Sequence, residues 1–292
     1  MKVVLRSIAA LIVLAAIAVP FVQNDFNAFT FDDSSANQQG VAQLTKHSRG
    51  QQQGFPPVKA ELSSKTRKVP QFSAIYDVNE RKRQFFAYLL PAIEETNQRI
   101  QEQREYLMRL AEKHTQGQVL TQREAQWLDE LADYYRVDES DIDTQFDILI
   151  ARVDIVPAPV VLIQSANESG WGTSRFAVEG LNFFGQWCWT PGCGMIPAAR
   201  PAGQSYEVRS FESMESSVVE FVRNLNTHFA YKELRAMRLE ERMTENTVSS
   251  ATIIAGLISY SERGQDYIDE LNQMIRINRP IIEEVQIANA NS

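Results

Sequence analysis

Apolar residues recur at helical spacings along the first long stretch of the chain that has a regular pattern. Between Asn79 and about His114 they lie three or four positions apart with charged residues between them, which predicts one or two long helices. The stripe consists of Phe85, Phe86, Leu89, Ile93, Ile100, Leu107 and Leu110. Pro91 lies inside this stripe and lacks a backbone donor, so we expect a kink or a break near Leu90.

Helical patterns return at intervals along the rest of the chain. Thr121 followed by Glu124 is typical of a capping box, and the apolar stripe after it continues to Tyr135. A short helix is predicted around Asp141–Ile150. Three more are predicted at Ser216–Phe229 with Ser213 before it, at Val248–Tyr260 and at Tyr267–Ile277.

One predicted helix differs from the others because it is apolar on nearly every side. It covers Pro157–Asn167, opens with prolines that suit a first helical turn, and is therefore expected to be buried. Between Gly180 and Ser210 the helical period disappears and Gly, Pro, Trp and Cys take over. This stretch is predicted to form loops and a small hairpin.

The N-terminal region has a different composition. Residues 1–22 begin with Lys2 and Arg6 and continue as an apolar run, which is typical of a secretory signal and predicts export to the periplasm. Cleavage and retention as an inner-membrane anchor both remain open. Residues 23–70 are rich in Gln, Ser, Asn and Asp and are predicted to form a disordered spacer, although a propeptide-like segment would have the same composition.

The two cysteines, Cys188 and Cys193, enclose a Pro-Gly pair that favours a tight turn. In an oxidising compartment they are expected to form a disulfide. A zinc site is the competing interpretation, but it needs three or four close ligands, and the only histidines of the chain are His47, His114 and His228. We therefore predict no metal.

Charge and composition exclude several classes of partner. The formal net charge of −8 leaves no basic face for nucleic acid, and no glycine loop precedes a helix in the manner of a nucleotide site, so we predict neither nucleic acid nor a cofactor. The 292 residues are enough for one substantial core. The sequence gives no prediction of the oligomeric state.

Glu168 is the main candidate for a catalytic residue, because it follows a helix that is predicted to be buried and precedes Gly170, Trp171 and Gly172. The negative end of the helix dipole and partial desolvation both raise the pKa of a carboxyl group in that position. A glutamate protonated near neutral pH suits proton donation to the leaving group in glycoside cleavage. A glutamate that only caps local amides or pairs with Arg175 is the alternative.

The segment from Glu168 to Ser174, followed by Asn182 to Gly185, resembles the glucosaminidases of glycoside hydrolase family 73, which cleave peptidoglycan. The resemblance covers roughly residues 140–280. Further matches are Phe211, Ser213, Ser217, Phe221, Leu225, Tyr231, Ile258, Ser259, Tyr260, Tyr267 and Leu271.

The resemblance implies a mainly α, lysozyme-like domain with a small β-hairpin lobe at 138–280, preceded by a helical extension at 71–137 and followed by a tail at 281–292. It also implies endo-β-N-acetylglucosaminidase activity on peptidoglycan glycan strands. Glu168 would be the general acid, and Tyr260 matches a tyrosine that lines the active site of the family.

Several aromatic and polar residues near this motif are candidates for binding substrate. Trp187 and Trp189 lie in the predicted lobe, and we expect at least one of them to stack on sugar rings, with core packing as the alternative. Asn182 and Phe184 are candidates for shaping the groove beside Glu168. The alternatives are that Asn182 holds a turn and that Phe184 fills the core.

The second carboxylate that glycosidases commonly use is not evident. No Asp or Glu occurs between Gly185 and Ser205, which leaves Glu179 before the lobe and Glu207 or Glu212 at its far edge, with Glu207 as the candidate. Water activation by a distant glutamate, participation of the substrate acetamido group, and intramolecular capture as in lytic transglycosylases all remain open. So do a degenerate glycan-binding protein and a structural envelope protein whose N-terminal helices form its working surface.

Overall fold

The computed structural model describes residues 54–59, 68–201 and 203–291. Within these ranges the chain forms nine α-helices and one small sheet, which confirms the predicted mainly α fold with a small β lobe. The helices are α1 (Val78–Thr115), α2 (Gln122–Tyr134), α3 (Ile142–Arg152), α4 (Ala158–Ser169), α5 (Arg175–Gly180), α6 (Met214–Thr227), α7 (Lys232–Glu245), α8 (Ser250–Ala255) and α9 (Gln265–Ala290). The strands are β1 (Trp187–Cys188), β2 (Gly194–Met195) and β3 (Glu207–Arg209).

The long helix α1 runs through Pro91 without a break. Asp77 caps its start by accepting from the backbone N–H of Glu80 at 2.7 Å. Leu89, Leu90 and their neighbours on both sides of the proline are buried, so packing of the helix against the core offsets the hydrogen bond that proline removes.

The next helices begin where the sequence predicts. The capping box of α2 is present in both directions, since Thr121 and Glu124 exchange hydrogen bonds between side chain and backbone. Helix α4 is buried almost throughout and packs against α1, α8 and α9. It therefore forms the centre of the fold and ends at the candidate acid.

Two helices differ from their predicted extents. Helix α8 covers only Ser250–Ala255, whereas α9 continues through Pro280 and the predicted tail as far as Ala290. Ile282 and Val285 are buried in this last part, and α9 packs along α1. The burial of these residues explains why the end of the chain is helical.

The sheet has three antiparallel strands in the order β1-β3-β2. Val208 in the central strand lies opposite Trp187 on one side and opposite Met195 on the other. The two strands that flank the cysteine turn therefore both pair with β3.

One hydrophobic core joins the N-terminal helix to the rest of the fold. Phe85 and Leu89 of α1 belong to the same buried cluster as Phe183 and Leu225. The buried cluster includes residues from both sides of the boundary predicted near residue 137, so the two predicted units share one core. Their division into a helical extension and a glucosaminidase-like domain stays a prediction.

Buried arginines tie the N-terminal helix to the C-terminal half. Arg238 of α7 is completely buried and donates to backbone carbonyls at the end of α3, and Arg104 of α1 donates to the carbonyls of Ile150 and Val153. Both cations stabilise the negative end of α3. Arg242 completes the group through an ion pair of 2.7 Å with Asp154.

Part of the predicted spacer is packed against the helices. The carbonyl of Pro56 accepts from the Trp127 indole at 2.8 Å, and those of Pro57 and Val58 accept from Gln103. At residues 54–59 the prediction of a disordered spacer is therefore wrong, because these carbonyls meet donors from distant helices. The predictions for residues 1–53 and 60–67 lie outside the described residues. Within the described part of the chain, no helix is long and apolar enough to cross a bilayer.

Candidate active site

Glu168 lies in the last turn of α4, at the end of the most buried helix of the fold. Gly170 terminates the helix in the left-handed conformation with φ 58°, and Trp171 and Gly172 follow with φ 60° and 74°. Three consecutive left-handed residues are unusual, and the conformation is costly for tryptophan. The chain therefore turns sharply away from the carboxyl group immediately after it.

The N-terminal segments hold this turn in place. Phe85 and Phe86 of α1 pack against the ring of Trp171 at centroid distances of 5.7 and 5.4 Å. A Cβ added at Gly172 would lie 2.5 Å from the ring of Phe72, so only glycine fits there. Trp171 therefore packs to hold the turn.

The carboxyl group of Glu168 faces tyrosines from the C-terminal part of the chain. The hydroxyl of Tyr267 lies 3.0 Å from Glu168 Oε1 and also donates to Gln164 Oε1, one helical turn earlier on α4. The ring of Tyr260 stacks on that of Tyr267 at 5.6 Å, and Tyr231 lies 6.3 Å beyond Tyr260. These rings form an aromatic wall beside the acid.

Burial is the main cause that raises the pKa of Glu168 to about 7. Hydrogen bonds with Tyr267 and Asn167 oppose this effect, and the charge of Glu270 adds to it. Burial also raises the pKa of Tyr231 to about 12 and that of Tyr260 further, so both hydroxyls are neutral at physiological pH. Glu168 is therefore placed to carry a proton near neutrality, in the direction that the sequence predicts.

The alternative ion pair between Glu168 and Arg175 is not present. Arg175 is the first residue of α5, and its guanidinium donates to the carbonyl of Ile196 at 3.0 Å. The guanidinium thus joins α5 to the lobe, and the carboxyl group of Glu168 keeps its contact with Tyr267.

The loop from Asn182 to Gln186 closes the other side of the site. Tyr260 donates its hydroxyl proton to the carbonyl of Phe184 at 3.3 Å, and a Cβ on Gly185 would lie 3.9 Å from Glu168 Oε2. The structure thus brings Tyr260 and this loop next to Glu168.

Asn182 and Phe184 shape the loop from within. The Asn182 amide donates to the carbonyls of Gln186 and Arg209, and its oxygen accepts from the N–H groups of Phe184 and Gln186. Phe184 stacks on Phe221 at 4.1 Å, and both Asn182 and Phe184 are only 1% exposed. Neither side chain offers a surface for direct contact with a sugar. Their contacts fit the alternatives instead, since Asn182 holds the turn and Phe184 fills the core.

The lobe is closed by the predicted disulfide between Cys188 and Cys193. Gly192 has φ 82°, and the N–H of Cys193 donates to the carbonyl of Thr190 at 3.0 Å, so the Pro-Gly pair forms the expected turn.

Glu207, the candidate second carboxylate, lies on β3 behind this turn. Its two carboxylate oxygens accept from the N–H groups of Gly192 and Gly194 at 3.0 and 2.8 Å, which lowers its pKa. Both oxygens are thus engaged by the backbone of the lobe, and these contacts favour a structural role for Glu207.

The two candidate tryptophans of the lobe have different environments. Trp187 is partly buried and stacks on Tyr206 at 4.2 Å. Trp189 lies on the cysteine turn and is 67% exposed. Of the two, Trp189 has the larger free face for a ligand.

Cys188, Cys193 and Glu207 form the one group of three potential metal ligands found in the described part of the chain. The disulfide engages both sulfur atoms, and backbone amides engage the carboxylate. The donor set does not suit zinc, because cysteine binds zinc as a thiolate and both sulfur atoms are oxidised in the disulfide.

Two residues of the site were not selected as functional from the sequence. Tyr267 matches the family only as part of a C-terminal segment, and Gln164 lies in a helix whose other residues are mostly apolar. The useful signal for Gln164 is its position four residues before Glu168, which places both side chains on one face of α4.

Residues 145–279 match the family model described as Glucosaminidase, mannosyl-glycoprotein endo-beta-N-acetylglucosaminidase. The chain is also similar to the protein bax of Escherichia coli (strain K12), with 32% identity over 222 residues that cover 75% of this chain and 78% of that protein. No solved structure matches the chain. On these sequence matches, this chain belongs to the glucosaminidase family.

Proposed function

We propose that this protein hydrolyses peptidoglycan as an endo-β-N-acetylglucosaminidase, with Glu168 as the general acid. The observation that carries the proposal is the half-buried carboxyl group at the end of α4, whose pKa of about 7 leaves about half of it protonated at neutral pH and most of it protonated below neutral pH. Family membership supports a glycan substrate. Peptidoglycan is the glycan substrate that the glucosaminidase domain implies.

In this proposal Glu168 protonates the oxygen of the scissile bond as the anomeric carbon gains positive charge. The neutral hydroxyl of Tyr267 orients the carboxyl group, and Tyr260 fixes the backbone of the facing loop through Phe184. The turn after Glu168 leads the chain away from the carboxyl group.

We further propose that no carboxylate of the lobe takes part in the second chemical step. Glu207 is engaged by two backbone amides, and Glu212 lies exposed beyond β3. Substrate acetamido participation and intramolecular capture both proceed without a second protein carboxylate. A lytic transglycosylase is the second candidate function, because both oxygens of Glu207 accept backbone hydrogen bonds and intramolecular capture needs no second protein carboxylate.

Trp189 is proposed to contact the glycan strand. Its exposed ring lies on a turn that the disulfide and Glu207 keep in shape, which reduces the entropy cost of stacking on a sugar.

Export is proposed from the composition of residues 1–22, which lie outside the described residues. The disulfide between Cys188 and Cys193 supports an oxidising compartment such as the periplasm.

The products identify the reaction. Protein comprising residues 24–292 is incubated with purified peptidoglycan, and the released muropeptides are analysed by mass spectrometry. Reducing N-acetylglucosamine ends are the expected result, whereas anhydro-muramic ends identify a transglycosylase. Binding without release by folded protein identifies a glycan-binding protein and overturns the proposal.

A further inference from the structure

Gln164 is a polar residue in the middle of an apolar environment. It is completely buried on α4, one turn before Glu168. Its Oε1 accepts from the hydroxyl of Tyr267, whereas its Nε2 has no hydrogen-bond partner among the described residues. A buried donor without a partner is costly, which indicates that the amide serves a purpose other than stability.

The contact with Tyr267 limits how that tyrosine can interact with the acid. A tyrosine hydroxyl carries one proton, and Tyr267 lies within hydrogen-bond distance of both Gln164 Oε1 and Glu168 Oε1. Both partners are acceptors when Glu168 is ionised. When the proton of Tyr267 is directed to Gln164, the second contact is a hydrogen bond only if Glu168 is protonated and donates to the tyrosine oxygen.

We propose that Gln164 is a positioning residue that directs the proton of Tyr267 away from Glu168 and so favours the protonated form of the acid. The inference rests on the proposed role of Glu168 as general acid. Gln164 does not touch substrate and acts through Tyr267.

The other groups that face Glu168 do not replace this effect. Tyr260 and Tyr231 are neutral, and neither donates to Glu168 in the described structure. Glu270 is the nearby charge that acts on Glu168, and it is itself paired with Arg263 at 2.6 Å. Burial is the main cause of the raised pKa of Glu168, and the hydrogen bond of Asn167 opposes it. Gln164 determines whether the hydroxyl of Tyr267 opposes it as well.

The test is Gln164→Met, which keeps the length of the side chain and removes both hydrogen-bonding groups. Tyr267 is then free to donate to the ionised carboxyl group, so the pKa of Glu168 is expected to fall by about one unit. The pKa is measured from the carboxyl signal that disappears in Glu168→Gln, by infrared or carbon NMR titration. The basic limb of the cleavage rate against pH is expected to move to lower pH by the same amount, with the rate at acidic pH preserved.

Two further variants separate this role from a structural one. Ser165→Ala changes a neighbouring buried residue of α4 and is expected to leave the pKa of Glu168 unchanged. In a Tyr267→Phe background, Gln164→Met is expected to have no further effect. An unchanged pKa in Gln164→Met, or an equal fall in both backgrounds, overturns the proposal.

The titration does not depend on turnover. A shift in pKa without any cleavage of peptidoglycan would therefore reject the proposed function and keep the role of Gln164. Cleavage with no shift would reject the role of Gln164 alone.

Discussion

The hydroxyl of Tyr267 lies 3.0 Å from Glu168 Oε1, although 99 positions of sequence separate the two residues. The contact joins the first turn of α9 to the last turn of α4. The environment of the acid therefore depends on how these two helices pack, and α9 packs in turn along the N-terminal helix α1.

The buried acid predicts a dependence of stability on pH. The pKa of Glu168 in the folded chain, about 7, exceeds its ordinary value of 4.5, so the unfolded chain loses its proton first as the pH rises. The contribution of Glu168 to stability is thus complete below about pH 4.5 and is lost as the pH rises towards 7. Glu168→Gln avoids the buried charge and is expected to raise the free energy of unfolding at pH 8 by roughly 1–3 kcal/mol, with little change at pH 4.

Urea denaturation of wild type and Glu168→Gln at the two pH values measures this difference. An effect of equal size at both values would show that the change does not come from ionisation.

The geometry of the turn after Glu168 predicts that substitution of Gly172 lowers both stability and cleavage. Gly172→Ala introduces both backbone strain and a clash with Phe72, and is expected to lower the free energy of unfolding by roughly 2–4 kcal/mol and to reduce cleavage. Gly117→Ala is the matched control, because φ is 72° there and a Cβ meets nothing within 4 Å. It is expected to cost roughly 1 kcal/mol and to leave cleavage intact. Equal effects of the two substitutions would argue against a role of Phe72 in holding the turn.

Substitution of Glu207 is expected to lower stability while leaving most of the cleavage activity. Glu207→Gln leaves only one oxygen for two backbone donors, so we expect a loss of roughly 1–2 kcal/mol of stability and a cleavage rate within about tenfold of wild type. Glu212→Gln, at an exposed glutamate beyond the same strand, serves as the control. A loss of cleavage comparable to that of Glu168→Gln, with folding intact, would make Glu207 the second catalytic carboxylate.

The shared core predicts that the N-terminal helices cannot be removed. A fragment that begins at Asp138 lacks Phe85 and Leu89 and leaves Phe183 and Leu225 without part of their packing. We expect this fragment to be unfolded by circular dichroism, whereas residues 54–292 fold. If a fragment from Asp138 folds and cleaves as well as the longer protein, the N-terminal helix is needed neither for the core nor for holding the turn after Glu168.

Much of this fold follows from local patterns in the sequence. The capping box at Thr121 and Glu124, the buried helix before Glu168, and the disulfide turn each depend on neighbouring residues only. For this reason they are visible without knowledge of the tertiary structure.

Other features depend on distant contacts and are hidden from local patterns. Helix α7 is rich in charge and was not predicted, because the buried side chains of Arg235 and Arg238 have the sequence pattern of a solvated surface. Pro91 suggests a break that packing against the core prevents. The contact of Gln164 with Tyr267 joins two helices far apart in the chain. The sequence singles out Glu168 as the candidate acid, and only the tertiary structure shows which groups contact its carboxyl group.

The role of Glu168 is tested by comparing wild type and Glu168→Gln on purified peptidoglycan, with cleavage measured by release of soluble muropeptides and binding measured by co-sedimentation. We expect release by wild type, a loss of at least about a hundredfold in the variant, and similar binding by both. Cleavage by a folded Glu168→Gln protein at a rate near that of wild type would contradict the assignment of Glu168 as the general acid.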